Sequence, residues 1–584
     1  MDIFSILALL GGLALFLFGM DYMGENLKKL SGGSLESILQ RLTSNRFKGF
    51  LLGFLVTAVI QSSSATTVML VGFVNSGIMK LAQSISIIMG ANVGTTVTSW
   101  LLSTTGISGD AIWLKLLKPE SFTPLLAMIG ILMTMLCKNE KKKDLGSILL
   151  GFAILMFGME TMSDAMSGLK DNEQFAQILV AFENPVLGIL CGTILTAIIQ
   201  SSSASVGILQ ALSLTGAIPM ATALPVILGQ NIGTTITPIL SSISGNKESK
   251  QVAFSCLYIK IIGVVIVGFV FYLLDYFLDF AFLNGQSSVF SIAVVHTTFN
   301  VISTVILLPF CSLIEKLAIV TIKAKETSQD DNLRVLDDRF LLSPGFALAK
   351  SKETIIDMLK ITGATVNKSL DMLFAYDEKV ANSIKDEEKT VDMYEDKLGS
   401  YLVKLAGHKL AEHEASEVTS LLHIIGDAER ISDHACNLVG ASKELFDKNI
   451  EFSSTAKNEI ANICQAVKEI IEISIIAVQF ESKEFAAKIE PLEQVIDKLK
   501  YKMKQNHIER LQSKACTIEH GFVYSDILNN VERIADHCSN IGVSILQKDQ
   551  NSYEPHDYLN HVKSDGENDF KSQYDAYKEK YYKI

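Results

Sequence analysis

The 584-residue chain is short of the residues that build small secreted or redox-active folds. Its 8 cysteines, Cys137, Cys191, Cys256, Cys311, Cys436, Cys464, Cys516 and Cys538, show no C-x-x-C spacing, which argues against a disulfide scaffold and predicts reduced packing residues. Charge is nearly missing from residues 1 to 320, which hold 17 Lys+Arg and 17 Asp+Glu, about 11% of that stretch. A single soluble globular domain is thereby excluded. A basic surplus is missing everywhere. Residues 321 to 584 carry 34 basic and 46 acidic side chains, hence the whole net charge of −12, and so acidic a surface argues against nucleic acid as a partner. Histidine is almost absent from the first part, where His296 stands alone with no Ser or Asp placed beside it by motif. It is expected to be a packed or interfacial polar residue, and no enzyme is implied.

What is present instead is a set of long charge-free runs. Ile3 to Met20, Gly49 to Met79, Leu81 to Gly109, Ser121 to Cys137, Asn184 to Asn246, Ile261 to Leu274 and Phe280 to Ile314 contain no Asp, Glu, Lys or Arg. A bilayer core takes about 20 apolar residues per helix and penalises an unpaired charge, so these runs predict a multi-pass membrane protein in contact with the lipid bilayer. The first run follows Asp2 rather than a basic cluster and is read as a retained helix, not a cleaved signal.

The runs are internally duplicated at an offset of 139. Phe18-Gly19-Met20 returns as Phe157-Gly158-Met159, Gln61-Ser62-Ser63-Ser64-Ala65 as Gln200-Ser201-Ser202-Ser203-Ala204, and Gly90-Ala91-Asn92-Val93-Gly94-Thr95-Thr96 as Gly229-Gln230-Asn231-Ile232-Gly233-Thr234-Thr235. Asp21 and Glu25 correspond to Glu160 and Asp164, read as interfacial acids at a helix end. Lys28, Lys29, Arg41, Arg46, Lys48, Lys80, Lys138, Lys141, Lys142, Lys143, Lys247 and Lys250 are placed inside, against Lys115, Lys118 and Lys170 outside. This makes the repeats inverted. Each Gln-Ser-Ser-Ser lies in the middle of an apolar run, too polar for a lipid-facing span, and predicts a re-entrant hairpin whose tip meets its counterpart near the midplane. The two glycines of each Gly-x-Asn-x-Gly-Thr-Thr run are expected to interrupt the crossing helix that follows.

The paired Gln-Ser-Ser-Ser and Gly-x-Asn-x-Gly-Thr-Thr motifs, with their inverted repeat, resemble the type II sodium/phosphate cotransporters over roughly residues 1 to 315. The resemblance implies sodium-driven transport of inorganic phosphate at a cell (plasma) membrane, with the tips Gln61 to Ser64 and Gln200 to Ser203 building the substrate and sodium sites. The physics is compatible with this. Hairpin tips aim helix N-termini and serine hydroxyls at an anion, and the neutral oxygens of Gln61, Asn92, Thr95, Thr96, Gln200, Asn231, Thr234 and Thr235 suit sodium. Small hydroxylated residues also pack membrane helices, but the symmetric doubling of the set favours a site. Ser205-Val206 stands where the first repeat has Thr66-Thr67, so the two tips are chemically unequal. A membrane-anchored phosphate or oxyanion sensor that binds without transporting is the alternative.

Beyond a polar linker at 321–345 the chain reads as helical, with Pro491 the only proline between 345 and 554. Glu429-Arg430-Ile431-Ser432-Asp433-His434 returns as Glu532-Arg533-Ile534-Ala535-Asp536-His537, and Glu388-Lys389-Thr390-Val391-Asp392 as Glu493-Gln494-Val495-Ile496-Asp497, predicting two bundles of three helices over 346–550. This part resembles PhoU, a cytoplasmic regulator of phosphate uptake. The resemblance implies a metal-binding role for Glu388, Asp392, Glu429, Asp433, Glu493, Asp497, Glu532 and Asp536. Set against it is a solvated acidic face beside Arg430 and Arg533. His434 and His537 lie about 100° round their helices from the acids they follow and are read as packed or solvated. Residues 551–584 form a polar tail expected to fray.

The expected architecture is all-α: membrane repeats at 1–137 and 138–320 with re-entrant hairpins and broken helices, then a cytoplasmic PhoU-like pair of three-helix bundles. Sodium is the expected coupling ion, a metal ion on the acidic motifs a candidate cofactor, and a second copy of the chain a candidate partner.

Overall fold

The computed structural model describes residues 3–31, 45–106, 119–167, 181–323, 336–408, 410–547 and 568–582. Arg41, Lys115, Lys118 and Lys170, which enter the orientation argument, lie outside them. Two compact units, Met1–Phe346 and Ala347–Ile584, divide the chain. Both are helical, and among the described residues the β structure is one isolated bridge between Pro219 and Gln286.

In the first unit, six helical stretches are long and apolar enough to cross a membrane: Ile3–Leu30, Leu81–Gly106, Glu140–Met166, Met220–Ser242, Lys247–Leu278 and Val289–Thr321. The first and third of these lie within α1 (Ile3–Ser31) and α7 (Glu140–Met166), counterparts under the 139-residue offset. Gly12 of α1 lies against Gly158 and Met162 of α7, and Gly19 against Gly151 and Leu155, so the two helices run antiparallel. That is the relation an inverted repeat requires. A Cβ on Gly19 would stand 2.3 Å from the Leu155 nitrogen, and one on Gly158 the same 2.3 Å from the Phe16 nitrogen. Glycine is needed there because the backbones themselves touch.

Each repeat then forms a hairpin of two short helices: α2 (Arg46–Ile60) and α3 (Ser63–Asn75) in the first, α8 (Pro185–Ile199) and α9 (Ser202–Leu214) in the second. At 1.5 Å per residue, 13 to 15 residues reach only about 20 Å, less than the roughly 30 Å of a hydrocarbon core. They are half-spans joined by a tight turn, as the re-entrant reading requires. The following crossings are α4 (Leu81–Gly94) with α5 (Thr96–Ser103), and α10 (Met220–Gly233) with α11 (Ile236–Ser242).

The motif glycines act differently from their expected role. A Cβ on Gly90 would meet the Phe50 carbonyl oxygen at 1.9 Å, and one on Gly229 the Ile189 carbonyl oxygen at 2.0 Å. They bring the crossing helix against the first hairpin helix and do not unwind it. The interruption falls one residue later, at Thr95 and at Thr234 to Thr235, and both stay in the right-handed helical region. Thr98 N–H donates to the Thr95 carbonyl at 3.3 Å, so the break is a tightened turn, not an extended stretch.

The unit is completed by α6 (Pro119–Leu136), α12 (Lys247–Leu278), α13 (Val289–Leu307) and α14 (Cys311–Thr321). Part of the expected linker is also packed into it. Phe340 is fully buried against Phe73 and Phe346, Asp337 accepts from Asn75 Nδ2 at 2.7 Å, and Arg339 Nε donates to the Ser241 carbonyl at 3.0 Å. The segment 336–346 thus touches the end of a hairpin helix in one repeat and a crossing helix in the other.

The second unit contains two three-helix bundles. One comprises α15, which begins in the first unit (Pro344–Met372), with α16 (Glu378–Ala406) and α17 (Glu412–Asp447); the other comprises α18 (Ser454–Gln479), α20 (Ile489–Gln512) and α21 (Ile518–Leu546), preceded by the single turn α19 (Lys483–Ala486). The end of the tail does not fray: α22 (Asn568–Tyr581) docks on the second bundle, with Tyr581 5% exposed and Lys498 Nζ donating to Tyr574 Oη at 2.6 Å. Tyr574, Tyr577 and Tyr581 recur every three or four residues and give this polar helix one aromatic face.

The glycine contacts yield the first prediction. Gly90→Ala forces a Cβ into a backbone oxygen and is expected to cost about 1 to 3 kcal/mol or more. Gly11→Ala, with nothing within 4 Å, is expected to be neutral or mildly stabilising. Melting temperatures of the two detergent-purified variants check this, and equal values would remove the packing role.

Candidate functional site in the membrane unit and its partner unit

The Gln-Ser-Ser-Ser tips are built identically in the two repeats. Gln61 and Gln200 adopt left-handed φ of 58° and 59°, each closing the first half-helix through its N–H, to Thr57 O at 2.8 Å and to Thr196 O at 2.7 Å. The next serine caps the second half-helix: Ser62 Oγ accepts from Ala65 N, and Ser201 Oγ from Ala204 N, both at 3.2 Å. Each tip caps both helices at once because glutamine stops the first and serine starts the second. The backbone N–H groups opening α3 and α9 therefore face the tip region, where a helix N-terminus favours negative charge.

Thr98 on α5 links the tips. Its hydroxyl donates to Gln61 Oε1 at 2.7 Å and lies 3.5 Å from Ser203 Oγ, so residues of both hairpins converge on one side chain. Sequence reasoning stopped at Thr96 and missed Thr98, although the motif extends to Gly-x-Asn-x-Gly-Thr-Thr-x-Thr in both repeats and repeats Thr98 as Thr237. In the second repeat the matching link is not made: Thr237 Oγ1 is buried without a hydrogen-bond partner among the described residues.

The motif threonines spend their protons locally. Thr95 donates to Ala91 O at 3.0 Å, Thr96 to Val93 O at 2.7 Å, Thr234 to Asn231 O at 2.7 Å and Thr235 to Ile232 O at 2.8 Å. With its proton spent, each hydroxyl oxygen keeps only acceptor capacity, which suits a hard cation and suits an anion poorly. Asn92 and Asn231 are 7% and 2% exposed. Ser62, Ser63 and Ser64 are half-buried, while Ser202 and Ser203 are buried at 5% and 6%. The two tips are alike in backbone and unlike in exposure, and they differ again where Thr57 bonds Thr66 at 3.1 Å but Thr196 and Ser205 leave their hydroxyls unpaired among the described residues. His296 is buried, as expected, but its Nδ1 lies 2.9 Å from Ser99 Oγ, a pairing that no motif announced.

In the second unit the acidic motifs lie on α16 with α17 and on α20 with α21. Burial, then Asp433 and Asp392, push the Glu388 carboxyl above the usual range, and burial with Asp433 does the same to Glu429. Asp536 is raised from an ordinary 3.8 to about 6 by burial, with Glu532 adding to it. The two clusters are not equivalent. Glu395 stands near Glu429 in the first, whereas in the second Lys500 Nζ pairs with Glu532 at 2.7 Å. Among the described residues no group of three or more His, Cys, Asp or Glu is arranged to hold a metal ion. His434 and His537 are packed: their rings stack at 5.7 Å, with Nδ1 of His434 3.0 Å from Asn530 Oδ1 and Nδ1 of His537 2.9 Å from Asp427 Oδ1.

Comparison with known proteins follows the same division. Residues 15–164 and 154–284 match the family model for Na+/Pi-cotransporter, and residues 355–441 and 460–545 that for the PhoU domain. The chain is 31% identical over 312 residues, 53% of its own length and 96% of the relative's, to "Uncharacterized protein YqeW" of Bacillus subtilis. It is 22% identical over 561 residues, 93% of its length and 98% of the relative's, to "Putative inorganic phosphate export protein YjbB" of Escherichia coli. A shorter match, 36% over 98 residues, covers 16% of the chain and 15% of "Sodium-dependent phosphate transport protein 2A" of Rattus norvegicus.

Asp536 provides a second prediction. Its folded-state carboxyl holds a proton up to about 6 and its unfolded one only to about 3.9, so the folded state binds more protons between these values. The contribution of Asp536 to stability is therefore greatest at low pH and declines as pH rises from about 4 to 6. Asp536→Asn is expected to abolish that slope and to stabilise α21 at pH 7 by about 1 kcal/mol, after screening at this half-exposed site. Amide hydrogen exchange of α21 in the full-length protein measures both, and an unchanged slope contradicts the assignment.

Proposed function

The chain belongs to the Na+/Pi-cotransporter family of phosphate transporters, with a PhoU domain joined to the transporter, and from that premise we propose that it moves inorganic phosphate across the cell membrane in symport with sodium. The observation that carries the reading is the convergence of two symmetry-related hairpin tips on Thr98. Alternating access uses a duplicated site between inverted halves, whereas a static receptor needs only one. In this reading Ser62, Ser63, Ser64, Ser201, Ser202 and Ser203, with the N–H groups opening α3 and α9, hold the phosphate. Gln61, Asn92, Thr95, Thr96, Gln200, Asn231, Thr234 and Thr235 supply neutral oxygens for cations, sodium among them. The relatives are named both for phosphate export and for sodium-dependent phosphate transport, so net direction follows the sodium and phosphate gradients that the cell imposes.

Mechanistically, burying a dianion in an apolar slab costs many kcal/mol unless the site supplies charge or donors. Helix N-termini, serine hydroxyls and co-bound sodium provide them together, which couples the two species because neither is well held alone. Occupied tips leave less net charge to carry between the two access states.

Thr98→Val removes the hydroxyl that joins the tips and keeps the shape. At about 0.5 to 1.5 kcal/mol per hydrogen bond, up to roughly a tenfold loss of phosphate flux is expected, with unchanged protein yield. Radiolabelled phosphate movement in proteoliposomes, with sodium gradients imposed in each direction, measures it. Binding without flux in the wild-type protein would favour a sensor instead.

The PhoU-like unit is proposed to lie in the cytoplasm and to regulate flux, and the packed segment 336–346 supports this reading because it grips both repeats just before the chain enters that unit. Truncation after Thr321 is expected to leave transport that no longer responds to internal phosphate. If flux, affinity and response are all unchanged in the truncated protein, the regulatory role fails. A metal ion relieving the acidic clusters, and a second copy of the chain as partner, belong to the same proposal.

A further inference from the structure

Lys260 is the one charged side chain buried in the first unit among its described residues. It is the fourteenth residue of the 32-residue α12, near the middle of a span long enough to cross the bilayer, and it is 6% exposed. An isolated charge at that depth is costly and persists where it has a function or a partner. The partners here are two neutral amide oxygens: Nζ donates to Asn231 Oδ1 at 2.9 Å and to Asn300 Oδ1 at 3.4 Å. The amide orientations are fixed from the other side, since Asn231 Nδ2 donates to Ile227 O at 3.0 Å and Asn300 Nδ2 to His296 O at 2.9 Å. No ion pair to a carboxylate involves Lys260 among the described residues.

Asn231 is the asparagine of the second Gly-x-Asn-x-Gly-Thr-Thr motif. Its counterpart Asn92, also buried, makes no side-chain hydrogen bond among the described residues. The same amide oxygen is therefore engaged by a cation in one repeat and left open in the other.

We propose that the Lys260 ammonium is a tethered cation that occupies the sodium position of the second repeat, so that exchangeable sodium is taken up at the Asn92 side only. An ammonium and a sodium ion carry the same charge and both seek neutral oxygens. A covalently held cation never dissociates, so the second half-site is permanently neutralised and contributes no coupled ion. This deepens the symport reading by assigning which half-site is coupled, and it rests on that reading for the word coupled alone.

The test uses full-length protein and two variants. Lys260→Ala opens the position, and Lys260→Gln removes the charge while keeping a donor for Asn231, so that a folded variant is retained. In purified protein the melting temperature is titrated with sodium against choline as control. The variants are expected to gain a sodium-dependent rise of several degrees beyond that of the wild type, as a newly created site predicts. In proteoliposomes the Hill coefficient for sodium is expected to rise by up to about one, the most that a single added site contributes. A merely structural lysine would lower stability without adding sodium dependence. Folded variants whose sodium titrations coincide with the wild type overturn the proposal, as does loss of phosphate flux with sodium response unchanged, which would assign Lys260 to the anion. If the wild type moves no phosphate yet the variants acquire sodium stabilisation, the transport reading fails and the tethered cation stands.

Discussion

Backbone contact between helices is the constraint on which the rest of the membrane unit depends. In lipid there is no hydrophobic gain from pressing apolar helices together, so association relies on close packing and on polar groups satisfied inside the protein. Gly12, Gly19, Gly151 and Gly158 let α1 and α7 touch main chain to main chain, and Gly53, Gly90, Gly192 and Gly229 do the same between each first half-helix and its crossing helix. Only at that approach can Thr98 on one crossing helix reach Gln61 and Ser203 on hairpins from different repeats. Polar tips between apolar helices are tolerable because these neighbours pack around them.

Duplication gives each unit two copies of a polar arrangement, and in each the copies have diverged in charge. Asn231 carries Lys260 where Asn92 carries no such bond. In the second unit Glu532 carries Lys500, while Glu429 has Glu395 for company. At the interface between the bundles, Asp427 faces His537 while the matching Asn530 faces His434. In each unit a lysine sits beside one copy of the arrangement, Lys260 on Asn231 and Lys500 on Glu532. Symmetric folds can thereby support asymmetric sites, because helix packing depends on residue volume and pattern while ion affinity depends on net charge, and the two drift independently.

Much of this was legible beforehand. The charge-free runs implied spans, the offset of 139 with the placement of basic residues implied inversion, and the serine triplets implied hairpins, because hydrophobic length, charge bias and repetition are one-dimensional properties. The acid motifs likewise announced the two bundles. Glycine was misjudged for a definite reason: between Asn92 and Thr95 it looked like a helix breaker, yet at Gly90 and Gly229 the absent Cβ makes room for a carbonyl on another helix. Tyr574, Tyr577 and Tyr581 were likewise hidden in a polar tail whose aromatic face matters only once the second bundle is there to receive it.

The sequence by itself determined the class, the number of repeats, their motifs and the partition into a membrane unit and a charged helical unit, since each follows from composition and periodicity along the chain. Tertiary structure alone decided that Thr98 joins the tips, that Lys260 meets Asn231 and Asn300, that residues 336–346 grip both repeats, and that Lys500 pairs with Glu532. These pairs are separated by 29 to 262 residues and obey no spacing rule. Hydrogen bonds and ion pairs act over about 3 Å, so their energies become defined only when packing has fixed which distant side chains share that distance.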